Sequence, residues 1–358
     1  MPALLVWMLL WACCSVVRAA DDSDAESLPE QPPLSAEELE EMQQTALEIS
    51  QQLQRFEERI AALESELGPY DASLVEVFND MAQYYLDIGR PQDAVDLYER
   101  ALNVTRISDG LYSETQLPIL EKLTDALRAA ADWQTVDDRE YLAFHLKSRI
   151  YPPGSQGYAE AVMTLARWKA QSLQGNLLQR SSRAALSELD ELQSNYVDAL
   201  LPLPQSPDAD EQSEPGFQPV TASTRVSLLH GKAQTEFQFG AYLANTVPSY
   251  LRFPVNRYVS EYVCRTVAGP DGQPRNVCGT VRVENPRYYE YEREKSYYRQ
   301  GIRDALSALR ESVASMRALS EQNPELAGDD AVAVSVRLQE LETMEQELQR
   351  GYRRSSIW

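Results

Sequence analysis

"YYLDIGRPQDAVDLYERAL", residues 84–102, decides how this chain folds. Two helical runs meet at Gly89-Arg90-Pro91, where glycine suits a helix end and proline the first turn of the next helix. Just upstream, Phe78, Met81, Ala82 and Tyr85 fall on one face of a helix of about 14 residues. Ala94, Tyr98 and Ala101 line the second helix. The small residues Ala82, Ala94 and Ala101 let the two axes approach, and bulkier neighbours fill the grooves beside them. One such hairpin cannot bury its apolar face alone, so further hairpins are expected beside it.

This order of aromatic, small, aromatic, Gly, Ala, aromatic and Ala over residues 75–108 resembles the tetratricopeptide repeat, with Pro91 standing where an aromatic is usual. A shift of 42 residues carries Phe78, Met81, Ala82 and Tyr85 onto Leu120, Leu123, Thr124 and Leu127, then onto Val162, Leu165, Ala166 and Lys169. Ala101-Leu102 likewise maps to Ala143-Phe144 and Ala185-Leu186. Trp133 takes the place of Pro91, and "YPPGSQG", residues 151–157, reads as the loop before the third unit. Lys169 and the stretch from Gln171 to Gly175 fit the third turn poorly. The resemblance covers about residues 70–190 and is to exported bacterial proteins of this repeat type. It implies an α-solenoid whose first helices line a concave groove for a protein partner. Carried over by offset, the groove residues are Glu76, Asn79, Gln83, Leu86 and Asp87 in the first repeat, and Glu121, Asp125 and Arg128 in the second. Such a groove is acidic and favours a basic or amphipathic peptide or helix.

Before the repeats, residues 3 to 17 form an apolar run ending in Val17-Arg18-Ala19 and then acidic residues. That pattern predicts a signal peptide over 1–19 and a periplasmic or secreted protein, although the segment before the run lacks Lys and Arg. Leu10-Trp11-Ala12-Cys13 is a poor lipoprotein box because of Trp11, so anchoring at Cys13 is not expected. Residues 20–34 read as a disordered acidic linker. Ser35 and Glu38 form a capping box that starts a long amphipathic helix over 35–68, with Met42, Leu47, Ile49, Leu53, Phe56, Ile60, Leu63 and Leu67 on its apolar side. This helix either packs on the repeats or pairs as a coiled coil, which leaves a homo-oligomer through residues 36–67 open.

The repeats, residues 70–200, are followed by a Pro- and acid-rich linker at 201–219 and a C-terminal helical region at 220–358, to which the resemblance does not extend. Within it, a helix is expected near 222–243, and residues 257–284 switch to a period of two around "GPDGQP". Centring the turn near Asp271 places Cys264 opposite Cys278, Tyr262 opposite Thr280 and Val259 opposite Val283. An even cysteine pair in an exported chain predicts a disulfide across this β-hairpin. Two long helices then follow, broken at "NPELAGDD", the first rich in tyrosine at Tyr288, Tyr289, Tyr291, Tyr297 and Tyr298. These rings either cover the hairpin and fill the helix interface or offer a contact surface for protein or glycan.

Chemistry is sparse. The formal charge of -22 argues against nucleic acid and anionic lipid as partners. The two histidines, His145 and His230, lie far apart, and no metalloprotease, nucleophile-elbow or phosphate-loop motif is present. No catalytic residue, metal or cofactor is assigned. The expected protein is a mainly α, non-enzymatic scaffold or adaptor. The competing class is an enzyme or glycan-binding module in 220–358 with the repeats as a recruiting arm. A deep pocket gathering carboxylates with His230 or the tyrosines would favour that second class.

Overall fold

Ser35 opens the first helix as the sequence suggests: its hydroxyl accepts from the Glu38 amide, and the Glu38 carboxylate accepts from the Ser35 amide at 2.7 Å. The computed structural model describes residues 35–202, 218–270, 272–323, 326 and 329–354. The expected signal peptide, Cys13, the expected acidic linker at 20–34, most of the expected linker at 201–219 and the turn centre Asp271 lie outside the described residues. By proximity of its segments the chain divides into two units, one ending at Leu146 and one beginning at Lys147.

In the first unit, α1 (Ala36–Leu67) is followed by α2 (Ser73–Asp87), α3 (Pro91–Ser108) and α4 (Gln116–Ala129); α5 (Trp133–Ile150) crosses into the second. Leu74, Val77, Phe78, Met81 and Ala82 recur at helical spacing and are buried along α2. They meet a buried stripe of α3 that includes Ala94, Leu97, Tyr98, Ala101 and Leu102. Ala82, Ala94 and Ala101 are fully buried, in keeping with close approach of the two helices. Gly89 turns the chain with φ 75°, a left-handed value that L residues with a Cβ adopt at a cost. Its amide donates to Leu86 O, and that of Arg90 to Tyr85 O. The second hairpin repeats this turn 42 positions on: Ala131 donates to Arg128 O and Asp132 to Leu127 O, with Ala131 at φ 57°. Thus α2/α3 and α4/α5 are tetratricopeptide-like hairpins built on one turn.

The second unit continues with α6 (Gln156–Gln174) and α7 (Ser182–Leu200), which form a third hairpin. Its turn corrects the 42-residue alignment. Asn176 donates to Leu173 O and Leu177 to Ser172 O, so the left-handed residue, Asn176 at φ 48°, lies 45 positions beyond Ala131. The turn comes three residues late because α6 is 19 residues long against 14 for α4. Lys169, which spoils the pattern at a shift of 42, is buried beside Glu188 at 3.6 Å.

The helix α8 (Ala222–Thr246) lies at the centre of this unit and touches α6, α7, α9 (Pro286–Gln322) and α10 (Asp329–Arg354). Val226, Leu229, Ala233 and Leu243 of α8, Ile302, Leu309 and Met316 of α9, and Leu341 and Leu348 of α10 form one core. Among the tyrosines, Tyr291 is buried in it and donates to Leu251 O at 3.4 Å, whereas Tyr289 and Tyr297 are exposed.

Strands β1 (Tyr258–Ala268) and β2 (Pro274–Glu284) pair antiparallel with Cys264 opposite Cys278, Tyr262 opposite Thr280 and Val259 opposite Val283, the register read from the sequence. The disulfide between Cys264 and Cys278 crosses the ribbon. A two-stranded ribbon is marginal alone, and closing this loop contributes about 3 kcal/mol. Reducing the disulfide is therefore expected to speed amide exchange in residues 258–284 by roughly a hundredfold while leaving the melting of the helices unchanged. Exchange measured by mass spectrometry with and without reductant checks this.

Candidate functional site

The residues assigned to the groove are positioned by the buried stripe of α2. With Leu74, Val77, Phe78 and Met81 fixed inward, positions 76, 79, 83 and 86–87 come to an adjoining stripe by helical geometry. Glu76, Gln83 and Asp87 are exposed, and Asn79 and Leu86 half-buried. On α4, Glu121 and Asp125 are exposed and Arg128 half-buried. Gln83 donates to the Asp87 carboxylate at 3.0 Å, and Arg128 to Asp125 at 2.8 Å. Arg128 also pairs with Glu140 of α5. Arg128, the basic residue of the assigned set, is thus already engaged by acids, and Glu76, Asp87 and Glu121 keep the face acidic.

Two observations bring α2 and α4 together. A cavity of about 240 Å³ is lined by Val75 and Asn79 of α2, Thr105 of α3, and Ile119 and Lys122 of α4. Asn79 Oδ1 is buried there without a hydrogen-bond partner. Further along, the Tyr98 ring is fully buried and its hydroxyl has no partner. Burial first, then the carboxylates of Asp87 and Asp125, raise its pKa above the usual phenol range. Asp87 and Asp125 therefore both lie within electrostatic reach of one ring. Sequence reasoning missed Lys122 and Tyr98 as parts of this face. Lys122 stands 42 positions beyond Asp80, which is not one of the groove positions, so the repeat offset carried no signal for it.

The second unit holds a different concavity, of about 440 Å³, whose lining includes Arg167, Gln171, Tyr196, His230 and Gln234. Gly231 is required here, because a Cβ would stand 2.3 Å from the Tyr196 hydroxyl oxygen. Burial holds the Tyr196 phenol well above its usual pKa and pushes His230 down, against the nearby Glu340 carboxylate that His230 meets at 3.1 Å. The lining contains no Asp or Glu, so an acid–base pair of carboxylates is not assembled in it. His145 lies on α5, an exposed position remote in sequence from His230.

Among the described residues, no group of three or more His, Cys, Asp or Glu side chains is placed to hold a metal ion. Among them too, no helix is long and apolar enough to cross a membrane.

Comparison with protein-family models finds no match, and comparison with curated proteins finds none either. Among solved structures, the chain is similar to the nearly identical TPR-like repeats of a candidate kinesin light chain from Podosopora anserina. That match has 12% identity and a TM-score of 0.34, covering 80% of this chain and 96% of the other. A point variant of the same protein matches at 14% identity and a TM-score of 0.28, covering 70% and 96%. The tetratricopeptide-like character of the first two hairpins lies in their shared turn, at Gly89 and Ala131.

Proposed function

We propose that this chain is an exported, periplasmic, non-enzymatic scaffold of the bacterial tetratricopeptide type, and that it holds a protein partner on the face formed by α2 and α4. The 42-residue repeat applies to its first two hairpins. The observation that carries the reading is the acidic row itself. Glu76, Asp87, Glu121 and Asp125 stand exposed on α2 and α4, the two helices that also line a cavity holding an unpartnered amide oxygen, Asn79 Oδ1. A buried acceptor without a donor favours a ligand that brings one, and the surrounding charge favours a basic or amphipathic segment. The apolar N-terminal run and the disulfide support export, since such bonds persist in oxidising compartments. The competing reading, a glycan-binding or enzymatic C-terminal region, draws on the cavity at His230, but its carboxylate-free lining favours it less.

The test is capture from an envelope extract. Replacing Glu76, Gln83 and Asp87 together with alanine is expected to weaken retention of the partner by about tenfold or more with helical circular dichroism unchanged, and raising salt should weaken the parent's capture in the same direction. Equal retention by the variant would remove the groove as the binding face.

A further inference from the structure

The β-ribbon carries an organised face that is largely exposed among the described residues. Opposed residues share a face, so Val259, Glu261, Val263, Arg265 and Val267 of β1 lie beside Val283, Val281, Gly279, Val277 and Arg275 of β2. Six of these ten residues are valine. Val277 is 57% exposed, Val267 44%, Val259 41% and Val281 39%. A Cβ added to Gly279, at the centre of this face, would meet nothing within 4 Å, so the space directly above it is open. Two open strand edges with an apolar face are a liability unless something covers them.

We infer that this valine face is the contact surface for a second copy of the chain, stacked ribbon on ribbon. The argument is self-complementarity. A two-fold axis lying in the contact plane and crossing the strands at the Val263–Gly279 row reverses the order of rows. Val259 of one copy then faces Val267 of the other, Val277 faces Val281, and at the outer rows of β2 Val283 faces Arg275, whose charged end reaches past the edge to water. The same axis sets Glu261 against Arg265 of the second copy, twice. Neither Glu261 nor Arg265 has an ion pair within its own chain among the described residues. Gly279 leaves the centre free of side chain, so the sheets can approach there. Stacked sheets with valine between them need a spacing of about 10 Å, which this composition allows. The face is small against the usual interface size, so the dimer is one that forms and dissociates with concentration. This surface is independent of the proposed groove.

Sedimentation of the full, oxidised chain over a range of concentrations tests the inference. The parent is expected to show a monomer–dimer equilibrium. Glu261→Arg or Arg265→Glu alone places like charges together twice and should weaken it by about tenfold or more. Combining the two should restore the parent's association. Ser260→Arg, on the opposite face of the ribbon, should leave it unchanged, and disulfide formation with helical dichroism verifies that each variant folds. A chain monomeric throughout, single reversals without effect, or a double reversal that stays weak overturns the inference. So does association abolished only by removing residues 36–67, or binding to neutral phosphatidylcholine vesicles in place of self-association.

Discussion

Replacing Lys232 with methionine is expected to lower the unfolding free energy by about 3–5 kcal/mol, among the largest effects of a single substitution in the second unit. Lys232 and Glu236 stand one turn apart on α8, and Glu236 is only 2% exposed. The Lys232 ammonium pairs with the Glu236 carboxylate and donates to Ser312 Oγ of α9 at 3.2 Å, and Ser312 in turn donates to Glu236 at 3.2 Å. Burial raises the Glu236 pKa, while the bonds from Lys232 and Ser312 oppose it. Taking away the cation leaves a carboxylate with too little compensation. A carboxyl whose folded pKa lies above its unfolded value favours the folded state below the unfolded pKa, and loses that advantage as pH rises through the folded value. The Lys232→Met defect should therefore be largest at neutral pH and shrink toward acid. The double variant Lys232→Met, Glu236→Leu should recover most of the loss, because a well-packed apolar pair can replace a buried ion pair at little cost. Urea unfolding of the three proteins at neutral and mildly acidic pH checks both statements. A single variant as stable as the parent would mean that the pair is hydrated.

In the first unit the corresponding prediction concerns packing. Phe78→Ala should cost about 3–5 kcal/mol, since the ring is 1% exposed and Arg100 lies over it with its guanidinium carbon 4.3 Å from the centroid. Ala82→Leu should damage the same hairpin from the opposite direction, by about 1–3 kcal/mol, because Ala82 is fully buried and added methyl groups have no room between α2 and α3. Combining the two should not restore stability, since the new leucine lies four positions from the lost ring on a helix face that is already filled. Hydrogen exchange resolves these effects to α2 and α3. A hairpin indifferent to Ala82→Leu would deny that small residues set the helix approach.

Local signals explain what could be read from the sequence. Gly89 and Pro91 mark a turn in three letters, and the β-ribbon register follows from one turn and a period of two, so both emerged without knowledge of the fold. The third hairpin was misaligned because Asn176, rather than glycine, takes the left-handed position and α6 runs longer than α4. Features assembled from distant segments were not legible. Ser312 reaches Glu236 across 76 residues, and the cavity at His230 is shared by α6, α7 and α8. Residues of the candidate face came from a repeat offset, which gave a row of five exposed positions on α2 and α4 and three half-buried ones, Asn79, Leu86 and Arg128. It passed over Tyr98, whose hydroxyl lies under that row on α3.

Hydrogen exchange of the full chain with and without its captured partner addresses the central claim most directly. Stacked hairpins that hold a partner on their acidic face should show slowed exchange confined to residues 73–87 and 116–129, and Glu76, Gln83 and Asp87 replaced by alanine should abolish that slowing. Protection that falls instead on residues 222–354, with 73–87 unchanged, would contradict the account.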